Sequence, residues 1–288
     1  MKRPGDAANR VLVIANLHKS NAGSTAREVE RYFTLRGWKP TVFSFEGNPQ
    51  SGVEYEGYDL IVSLGGDGTL LYVARKAAAL GIPVLPINLG TLGFIAANKT
   101  DSWTEAFQDW EEGRLEPSAR IMLDIQVERE GESLGRYVAL NDGVVSSQGI
   151  AKMIRLCLNV NGDCFGFYRA DGLIVSTPTG STAYNLAAGG PALYPEMPAV
   201  VINPICPFTL ASRPLVLPAS VKVDVVIDET RRSGAMLTVD GQEILTLQQG
   251  DVAMFRRAER DALLVVPPEN MFFQALRTKL GWSGDGHA

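Results

Sequence analysis

The sequence contains few of the residues on which several common enzyme mechanisms depend. It has only two histidines, His18 and His287, and His287 lies at the extreme C-terminus. So small a supply effectively excludes a Ser-His-Asp triad and a histidine-rich metal site. The sequence also lacks a G-x-x-x-x-G-K-[ST] phosphate loop, a G-x-S-x-G nucleophile elbow and a C-x-x-C pair. We therefore expect any general base to be a carboxylate.

Cysteines and long apolar runs are also scarce. The three cysteines, Cys157, Cys164 and Cys206, follow no metal-binding spacing, which predicts buried, reduced thiols in a cytoplasmic protein. The apolar run near the N-terminus is too short for the core of a signal peptide or for a membrane span. The net charge of −5 gives no electrostatic footprint for nucleic acid or an anionic membrane, so we predict neither as a partner.

Two patterns of hydrophobic residues divide the 288-residue chain. In the first third, buried-strand patterns such as VLVIAN (11–16) alternate with helical stretches, which indicates a parallel sheet covered on both faces. Later segments alternate β-branched and polar residues between glycine, asparagine and proline turns, which indicates two packed sheets. The predicted fold is α/β plus all-β: a Rossmann-like domain over residues 1–117, completed by a C-terminal helix at about 268–288, and a β-sandwich over 118–267.

Sequence signals also predict where two helices of the first domain begin. Thr25 and Glu28 have capping-box spacing, and Ser102 is followed three residues later by Glu105. Each pair precedes an amphipathic pattern. We therefore expect side-chain caps at both positions.

The stretch VSLGGDGTLL (62–71) leads from a predicted strand into a predicted helix and places Asp67 among three glycines. Glycines at the carboxyl end of a parallel strand allow backbone N–H groups to approach phosphates. A bare carboxylate repels a phosphate, so Asp67 needs another role. Three roles are open for it. It accepts a proton from an attacking hydroxyl, it contacts a cation that accompanies the phosphates, or it only caps the helix.

A second unusual segment, ADGLIVSTPTGSTAYNLAAGGP (170–191), is rich in small and hydroxyl residues and poor in charge. Its threonines and serines supply hydrogen-bonding groups for a purine or a ribose. Gly180 and Ala183 allow a flat ring to approach the backbone, and Tyr184 is able to stack on it. This composition predicts a nucleotide-binding segment more than an ordinary loop.

These motifs resemble those of the NAD kinases. LGGDGTLL, INLGTLGF, LNDGVV, DGLIVSTPTGSTAYNLAAGGP, a PICP…RP segment and VDGQE occur in the family's order over most of residues 58–245. GGDGT also occurs in related lipid kinases, whereas the long GSTAY segment is specific to the nicotinamide kinases. The resemblance implies an enzyme in which the 2′-hydroxyl of the adenosine ribose of NAD attacks the γ-phosphate of ATP, giving NADP and ADP.

The resemblance also implies roles for the residues of the glycine turn. Asp67 corresponds to the general base, and Phe94 matches a position that packs by the adenosine and the phosphates. Without the family, Phe94 is equally read as a core residue after a strand. The residues implied to line the phosphates are Gly66, Gly68 and Thr69.

Further roles fall on the second domain. Asn141 and Asp142 correspond to an Asn–Glu pair that holds the ribose and adenine of NAD, although N-D-G alone is a turn signal. Asp171 resembles the aspartate at the nicotinamide end, and Arg169 stands where some members carry an arginine and are restricted to the oxidised dinucleotide. The positions that match the adenine-facing residues are Thr179, Thr182, Ala183 and Tyr184.

The family further implies Mg²⁺ held through the phosphates, with no direct protein ligand, and a homodimer or homotetramer. This sequence departs from the family at Phe208, where many members have histidine, and at Thr91, where many have arginine. A cation for the phosphates is then sought elsewhere, with Lys19 and Arg120 as candidates. The sequence leaves open the phosphoryl donor (ATP, another triphosphate or polyphosphate), the use of NADH and allosteric control.

Two alternatives to an NAD kinase share some of these features. One is a lipid or diacylglycerol-type kinase with the same GGDGT turn, which needs a membrane-facing surface that the sequence does not show. The other is a dinucleotide sensor that has the pocket without the turnover. The intact Asp67 disfavours the sensor.

Overall fold

The computed structural model describes residues 9–19, 21–47, 52–90, 93–95, 98–149, 152–209, 211–230, 234–267 and 270–282. The chain divides into two compact units. The first combines Met1–Ala119 with Ala262–Ala288, and the second is Arg120–Asp261. The first unit is therefore built from both ends of the chain.

Nineteen strands and five α-helices are assigned among the described residues. The strands are β1 (Arg10–Asn16), β2 (Lys39–Phe45), β3 (Leu60–Gly65), β4 (Val84–Asn88), β5 (Asn98–Lys99), β6 (Ser118–Arg120), β7 (Leu123–Arg129), β8 (Glu132–Ala139), β9 (Asp142–Ser147), β10 (Ile154–Val160), β11 (Asp163–Ala170), β12 (Gly172–Ser176), β13 (Ala199–Ile205), β14 (Leu215–Pro218), β15 (Val223–Glu229), β16 (Ala235–Val239), β17 (Glu243–Leu247), β18 (Val252–Arg257) and β19 (Ala262–Leu264). The helices are α1 (Ala22–Leu35), α2 (Asp67–Leu80), α3 (Trp103–Glu111), α4 (Tyr184–Ala187) and α5 (Asn270–Leu280).

The first unit is built on a sheet with strand order β2-β1-β3-β4-β19-β6, in which β5 also pairs with β4. The strands β1, β2, β3, β4 and β19 pair in parallel. All residues of β3 and β4 are buried, as expected for strands covered on both faces. Phe33, Trp38 and Phe107 pack edge to face in the core, and Trp103 stacks on Phe33; these rings join α1 and α3. The predicted parallel α/β architecture is confirmed.

The second unit consists of two six-stranded sheets, ordered β11-β10-β15-β18-β7-β8 and β14-β13-β12-β9-β16-β17. Burial alternates along β7 and β15, so that every second side chain enters a shared core. Leu123, Ile125 and Val127 of β7 pack in that core with Leu237 and Val239 of β16, from the other sheet. The predicted pair of packed sheets is confirmed.

Two local predictions are wrong. Helix α1 begins at Ala22 after Asn21, so Thr25 is a buried helical residue and no side-chain cap bond forms. Ser102 does precede α3, but it too makes no side-chain cap bond. The cysteine prediction also fails in part, because the thiols are free but Cys164 and Cys206 are exposed.

Within the described part of the chain, every helix is too short or too polar to cross a membrane.

Candidate functional site

The glycine turn of the first unit joins β3 to α2. Gly65 is the last residue of β3, Gly66 caps the helix in an extended conformation, and Asp67 is the first helical residue. A Cβ on Gly65 would lie only 2.7 Å from the Cβ of Thr69, so this position must be glycine for Thr69 to pack there. The N-terminus of α2, the positive end of the helix dipole, is suited to an anion.

Asp67 lies beside Gly93, on the segment that follows β4. A Cβ on Gly93 would approach the Cγ of Asp67 to 2.9 Å and its Oδ2 to 3.0 Å. The Asp67 side chain is half-buried, which leaves it accessible to a bound molecule.

Thr69 is the most buried residue of the turn. Its side chain lies in the first turn of α2, and its Oγ1 accepts a hydrogen bond from Asn16 Nδ2 at 3.3 Å. Thr69 therefore ties the turn to the end of β1. Gly68, in contrast, is exposed to solvent.

Two lysines flank the segment that follows β4. The Nζ of Lys279, on α5, lies 4.9 Å from the centre of the Phe94 ring. Lys19 lies near the beginning of the same segment, where a Cβ on Gly90 would be 3.7 Å from its Nζ. Lys19 was a predicted candidate, whereas Lys279 was missed. Its signal in the sequence was the pair of basic residues in the last turn of the final helix.

Arg120, the other predicted cation, is only 8% exposed. Burial lowers the pKa of its guanidinium, while Glu196 and Tyr194 act in the opposite direction. These surroundings fit a buried structural arginine and not a phosphate contact. Thr91, the departure from the family pattern, lies outside the described residues.

The second unit contains a cavity of about 290 Å³ at the ends of β9 and β16. Four predicted residues, Asn141, Asp142, Ala183 and Tyr184, line it together with Asp240 and Gly241 of the VDGQE motif, which the sequence also predicts to lie close to the site. The full lining is Asn141, Asp142, Val144, Ser146, Ala183, Tyr184, Thr238, Asp240 and Gly241. The N-D-G triplet is therefore no turn: Asp142 and Gly143 belong to β9.

Asp240 fixes the polar wall of this cavity. Its carboxylate accepts hydrogen bonds from the backbone N–H groups of Leu140 (3.0 Å), Asn141 (2.8 Å) and Asp142 (3.1 Å). Its own N–H donates to the carbonyl oxygen of Asp142 at 2.9 Å, and its φ is 49°. The tetrapeptide V-D-G-Q thus does more than turn the chain between β16 and β17, because it positions Asn141 and Asp142.

The electrostatics of the cavity are unusual. Burial, and then the negative charge of Asp240, raise the pKa of Asp142 to about 7. Near neutral pH, Asp142 therefore exists in both its charged and its neutral form. It is able to accept a hydrogen bond in the first form and to donate one in the second.

Two buried polar atoms in this region have no hydrogen-bond partner within the described parts of the chain: Asn141 Oδ1 and Thr179 Oγ1. Such atoms are rare in folded proteins, and a bound molecule commonly satisfies them. Gly180 is held against Asn141, because a Cβ there would lie 2.6 Å from the Asn141 Cα. The expected reason for Gly180, the approach of a flat ring, is therefore replaced by close packing against the protein's own backbone.

The remaining predicted residues lie elsewhere in the second unit. Thr182 is half-buried and donates to the carbonyl of Thr179 at 3.4 Å. Asp171 is held between strands, since its carbonyl accepts from Ser147 N–H and its N–H donates to Ile205. The exposed Arg169 places its guanidinium 5.2 Å from the centre of the Phe208 ring.

The fold and these two clusters define a two-domain, nucleotide-binding phosphotransferase. Residues 16–115 match the family model of the ATP-NAD kinase N-terminal domain, and residues 140–266 match that of the ATP-NAD kinase C-terminal domain. The chain belongs to the ATP-NAD kinase family. The resemblance read from the sequence is confirmed.

Individual relatives agree with the family models. The chain is 42% identical to an NAD kinase of Treponema denticola over 96% of this chain and 97% of the relative. It is 36% identical to an NAD kinase of Geobacter sulfurreducens over 95% and 98%. A solved NAD kinase from Archaeoglobus fulgidus in complex with ATP superimposes with a TM-score of 0.73 at 26% identity, covering 92% and 96%. A yeast NADH kinase complexed with NADH has a TM-score of 0.79 at 24% identity, covering 98% and 90%, and shows the shared fold.

The predicted enzyme class, an ATP-dependent NAD kinase, is confirmed by these relatives. They give no support to a lipid kinase or to a sensor without turnover.

Proposed function

We propose that the chain transfers the γ-phosphoryl group of ATP to the 2′-hydroxyl of the adenosine ribose of NAD, with Asp67 as the general base. The observation that supports this role is the position of the Asp67 carboxylate, in the first turn of α2 and against Gly93. The 2′-oxygen attacks the γ-phosphorus, ADP leaves, and the hydroxyl proton passes to Asp67. A loose transition state needs little basicity, so an ionised aspartate suffices to orient the hydroxyl.

In this proposal the glycine turn binds the phosphates of ATP. Gly66 and Gly68 lie at the start of α2, where the helix dipole is positive and the lack of side chains lets a phosphate come close, and Thr69 holds the turn in place. Lys19 and Lys279 supply the positive charge that offsets Asp67, and Phe94 packs beside the nucleotide. Position 93 must stay a glycine so that the base keeps its place.

We further propose that Mg²⁺ enters with the phosphates of ATP. The described residues hold no cluster of three side chains that would bind a metal by themselves. The ion is therefore proposed to be held by the phosphates and by water, with no direct protein ligand, which leaves Asp67 free to act as the base. When bound, Mg²⁺ supplies charge stabilisation to the transferring phosphoryl group.

NAD is proposed to bind the second unit through the cavity lined by Asn141 and Asp142. The unpartnered Asn141 Oδ1 and Thr179 Oγ1 accept and donate to the ribose and the adenine, and Tyr184, 48% exposed, stacks on the ring. Thr182 and Ala183 complete the adenine side. Asp171 is assigned to the nicotinamide end and Arg169 to the preference for the oxidised form, as the family implies.

The proposal includes a cytoplasmic location and a homodimer or homotetramer. The free thiols of the three cysteines agree with a reducing compartment. Phe208 is 65% exposed, so its ring is accessible to a subunit contact.

A coupled assay tests the reaction and the base together. Purified protein receives NAD and Mg·ATP, and an NADP-specific dehydrogenase reports the product. Wild type is expected to turn over, and Asp67→Asn to lose roughly 10²-fold or more in kcat with its fold intact by circular dichroism. Full activity in Asp67→Asn would disprove the role of Asp67. A folded wild type that yields no NADP with ATP would be tested next with polyphosphate as donor.

A further inference from the structure

Two cysteines that the kinase reaction does not use lie together on the second unit. Strands β10 and β11 form an antiparallel hairpin, and β11 is the edge strand of its sheet. The Sγ atoms of Cys157 and Cys164 are 3.7 Å apart, at van der Waals contact. Neither is part of the cavity or of the glycine turn.

A β-bulge brings these two thiols to the same face. Cys164 pairs with Asn159, and the register shifts between Leu158 and Asn159, so that Phe165 is an extra residue in β11. Leu158 is buried in the core, whereas its neighbours Cys157 and Asn159 point to the opposite, outer face of β10. Cys164 joins them there.

The two thiols differ in access. Cys164 is exposed, whereas Cys157 is partly buried. Burial, and then the neighbouring Cys164, raise the pKa of Cys157, and the nearby Arg155 acts in the opposite direction. The more accessible Cys164 is thus the thiol that an external reagent meets first, and Cys157 is the second thiol behind it.

We propose that Cys157 and Cys164 form a dithiol site that small-molecule disulfides oxidise to an intramolecular disulfide. The Cys164 thiolate attacks one sulfur of the small disulfide, forming a mixed disulfide and releasing one thiol. The Cys157 thiolate then attacks the Cys164 sulfur and releases the second thiol. Two protein thiols become one disulfide, the small disulfide is reduced to two thiols, and the protons of the cysteines pass to the departing thiolates.

The geometry permits this closure with a small movement. A disulfide bond is about 2.05 Å long, so the sulfurs approach from 3.7 Å by rotation about the Cα–Cβ bonds and a shift of β11. As an edge strand, β11 is bonded on one side only, to β10. The hairpin turns at Asn161 and Gly162, both at positive φ, which keeps the two strands paired while the thiols move.

The test uses the full chain, oxidised glutathione and three serine variants, and does not depend on kinase activity. Reduced protein is incubated with oxidised glutathione, quenched with a thiol-alkylating reagent and mapped by peptide mass spectrometry. In the wild type we expect one disulfide between residues 157 and 164, with no lasting glutathione adduct on either of them. In Cys157→Ser we expect a glutathione adduct on Cys164 that lasts at least about tenfold longer than in the wild type.

Matched controls separate this site from other thiol chemistry. Cys206→Ser is expected to close the same disulfide and to retain no free thiol, because the pair does not involve Cys206. Cys164→Ser is expected to form no disulfide. The proposal is overturned if the wild-type adduct on Cys164 persists as long as in Cys157→Ser, or if the disulfide joins Cys206 or two chains. Circular dichroism confirms folding, and Cys157→Ala replaces the serine variant if it does not fold.

Discussion

Gly93 and the carboxylate of Asp67 occupy adjoining space, so that any side chain at position 93 would meet the proposed base. The Cβ of such a side chain would lie 2.9 Å from Asp67 Cγ. The two residues are brought together by the ends of β3 and β4, adjacent parallel strands whose following segments lie at the same edge of the sheet. The position of the carboxylate therefore depends on a glycine 26 residues away in sequence, since 93 − 67 = 26.

Gly93→Ala is expected to reduce kcat while leaving the fold intact. The added methyl group displaces the Asp67 carboxylate, and a displacement of about 1 Å costs on the order of 10²-fold in rate. The coupled NADP assay gives kcat, and thermal unfolding monitors stability. Gly23→Ala, where a Cβ would have no neighbour closer than 3.8 Å, is the control and should retain activity. Wild-type kcat in Gly93→Ala would show that Asp67 is not the base or need not be held there.

Lys279→Met is expected to raise the KM for ATP by roughly tenfold, the cost of one charge-assisted hydrogen bond. Methionine retains the contact with Phe94 and removes the charge, so the effect reports phosphate binding and not packing. Lys279→Arg should recover most of the affinity. The KM for ATP is measured from initial rates at varied ATP concentration and saturating NAD.

Arg277→Met, on the exposed side of the same last turn of α5, serves as the control for Lys279. An equal rise in KM in both variants would indicate a general effect of the charge on α5. A rise in the KM for NAD alone would place Lys279 with the other substrate.

Asp142→Asn is expected to change how stability depends on pH. The pKa of Asp142 is about 7 in the folded chain and about 4 in an unfolded one, so the folded state binds more protons between these values. Wild-type stability therefore falls as pH rises from about 4 to about 7, by up to roughly 1.4 kcal/mol per pH unit. The variant lacks this loss.

Urea unfolding at pH 5, 6, 7 and 8 measures the difference between Asp142→Asn and the wild type. The free energy of unfolding of the variant, relative to that of the wild type, should rise with pH up to about 7 and stay constant above it. Asp163→Asn, at an exposed position, controls for the lost charge. A difference that does not change with pH would show that Asp142 titrates normally.

Gly180→Ala is expected to raise the KM for NAD and to lower the free energy of unfolding by about 1–3 kcal/mol. The added Cβ would lie 2.6 Å from Asn141 Cα, so it pushes Asn141 away from the cavity. Substrate titrations and urea unfolding measure the two effects. If stability falls but the KM for NAD does not change, the contact between Gly180 and Asn141 serves packing and not the binding of NAD.

Local patterns predicted much of the fold. Continuous apolar runs identified β1, β3 and β4 because these strands are buried on both faces, and the later alternation identified the sandwich. The capping prediction at Thr25 failed because tertiary packing buries that side chain. Periodicity carried no information on β19, a three-residue strand that pairs with β4 through Leu264 and Val84, which are far apart in sequence.

The candidate site was predictable where a motif carried it and not where distant segments meet. Asp67 and Asn141 stood in recognisable stretches. The contact of Lys279 with Phe94, the hold of Asp240 on residues 140–142 and the proximity of Cys157 to Cys164 depend on folding. Local sequence patterns do not predict such contacts, because each joins residues that become neighbours only when the strands pair into sheets.

The place of β19 in the first sheet has a consequence for synthesis. The strand lies between β4 and β6, yet it follows them by more than 140 residues, since 262 − 120 = 142. β4 ends 174 residues before β19 begins, since 262 − 88 = 174, so at roughly 5–20 residues per second on the ribosome the part of β4 that pairs with β19, at Val84, waits for about 9–35 seconds without that partner. During translation the nascent first unit is thus incomplete and must be kept from pairing with other chains until the last residues emerge. Chaperone demand should accordingly fall if the chain is circularly permuted so that 262–282 precede residue 9.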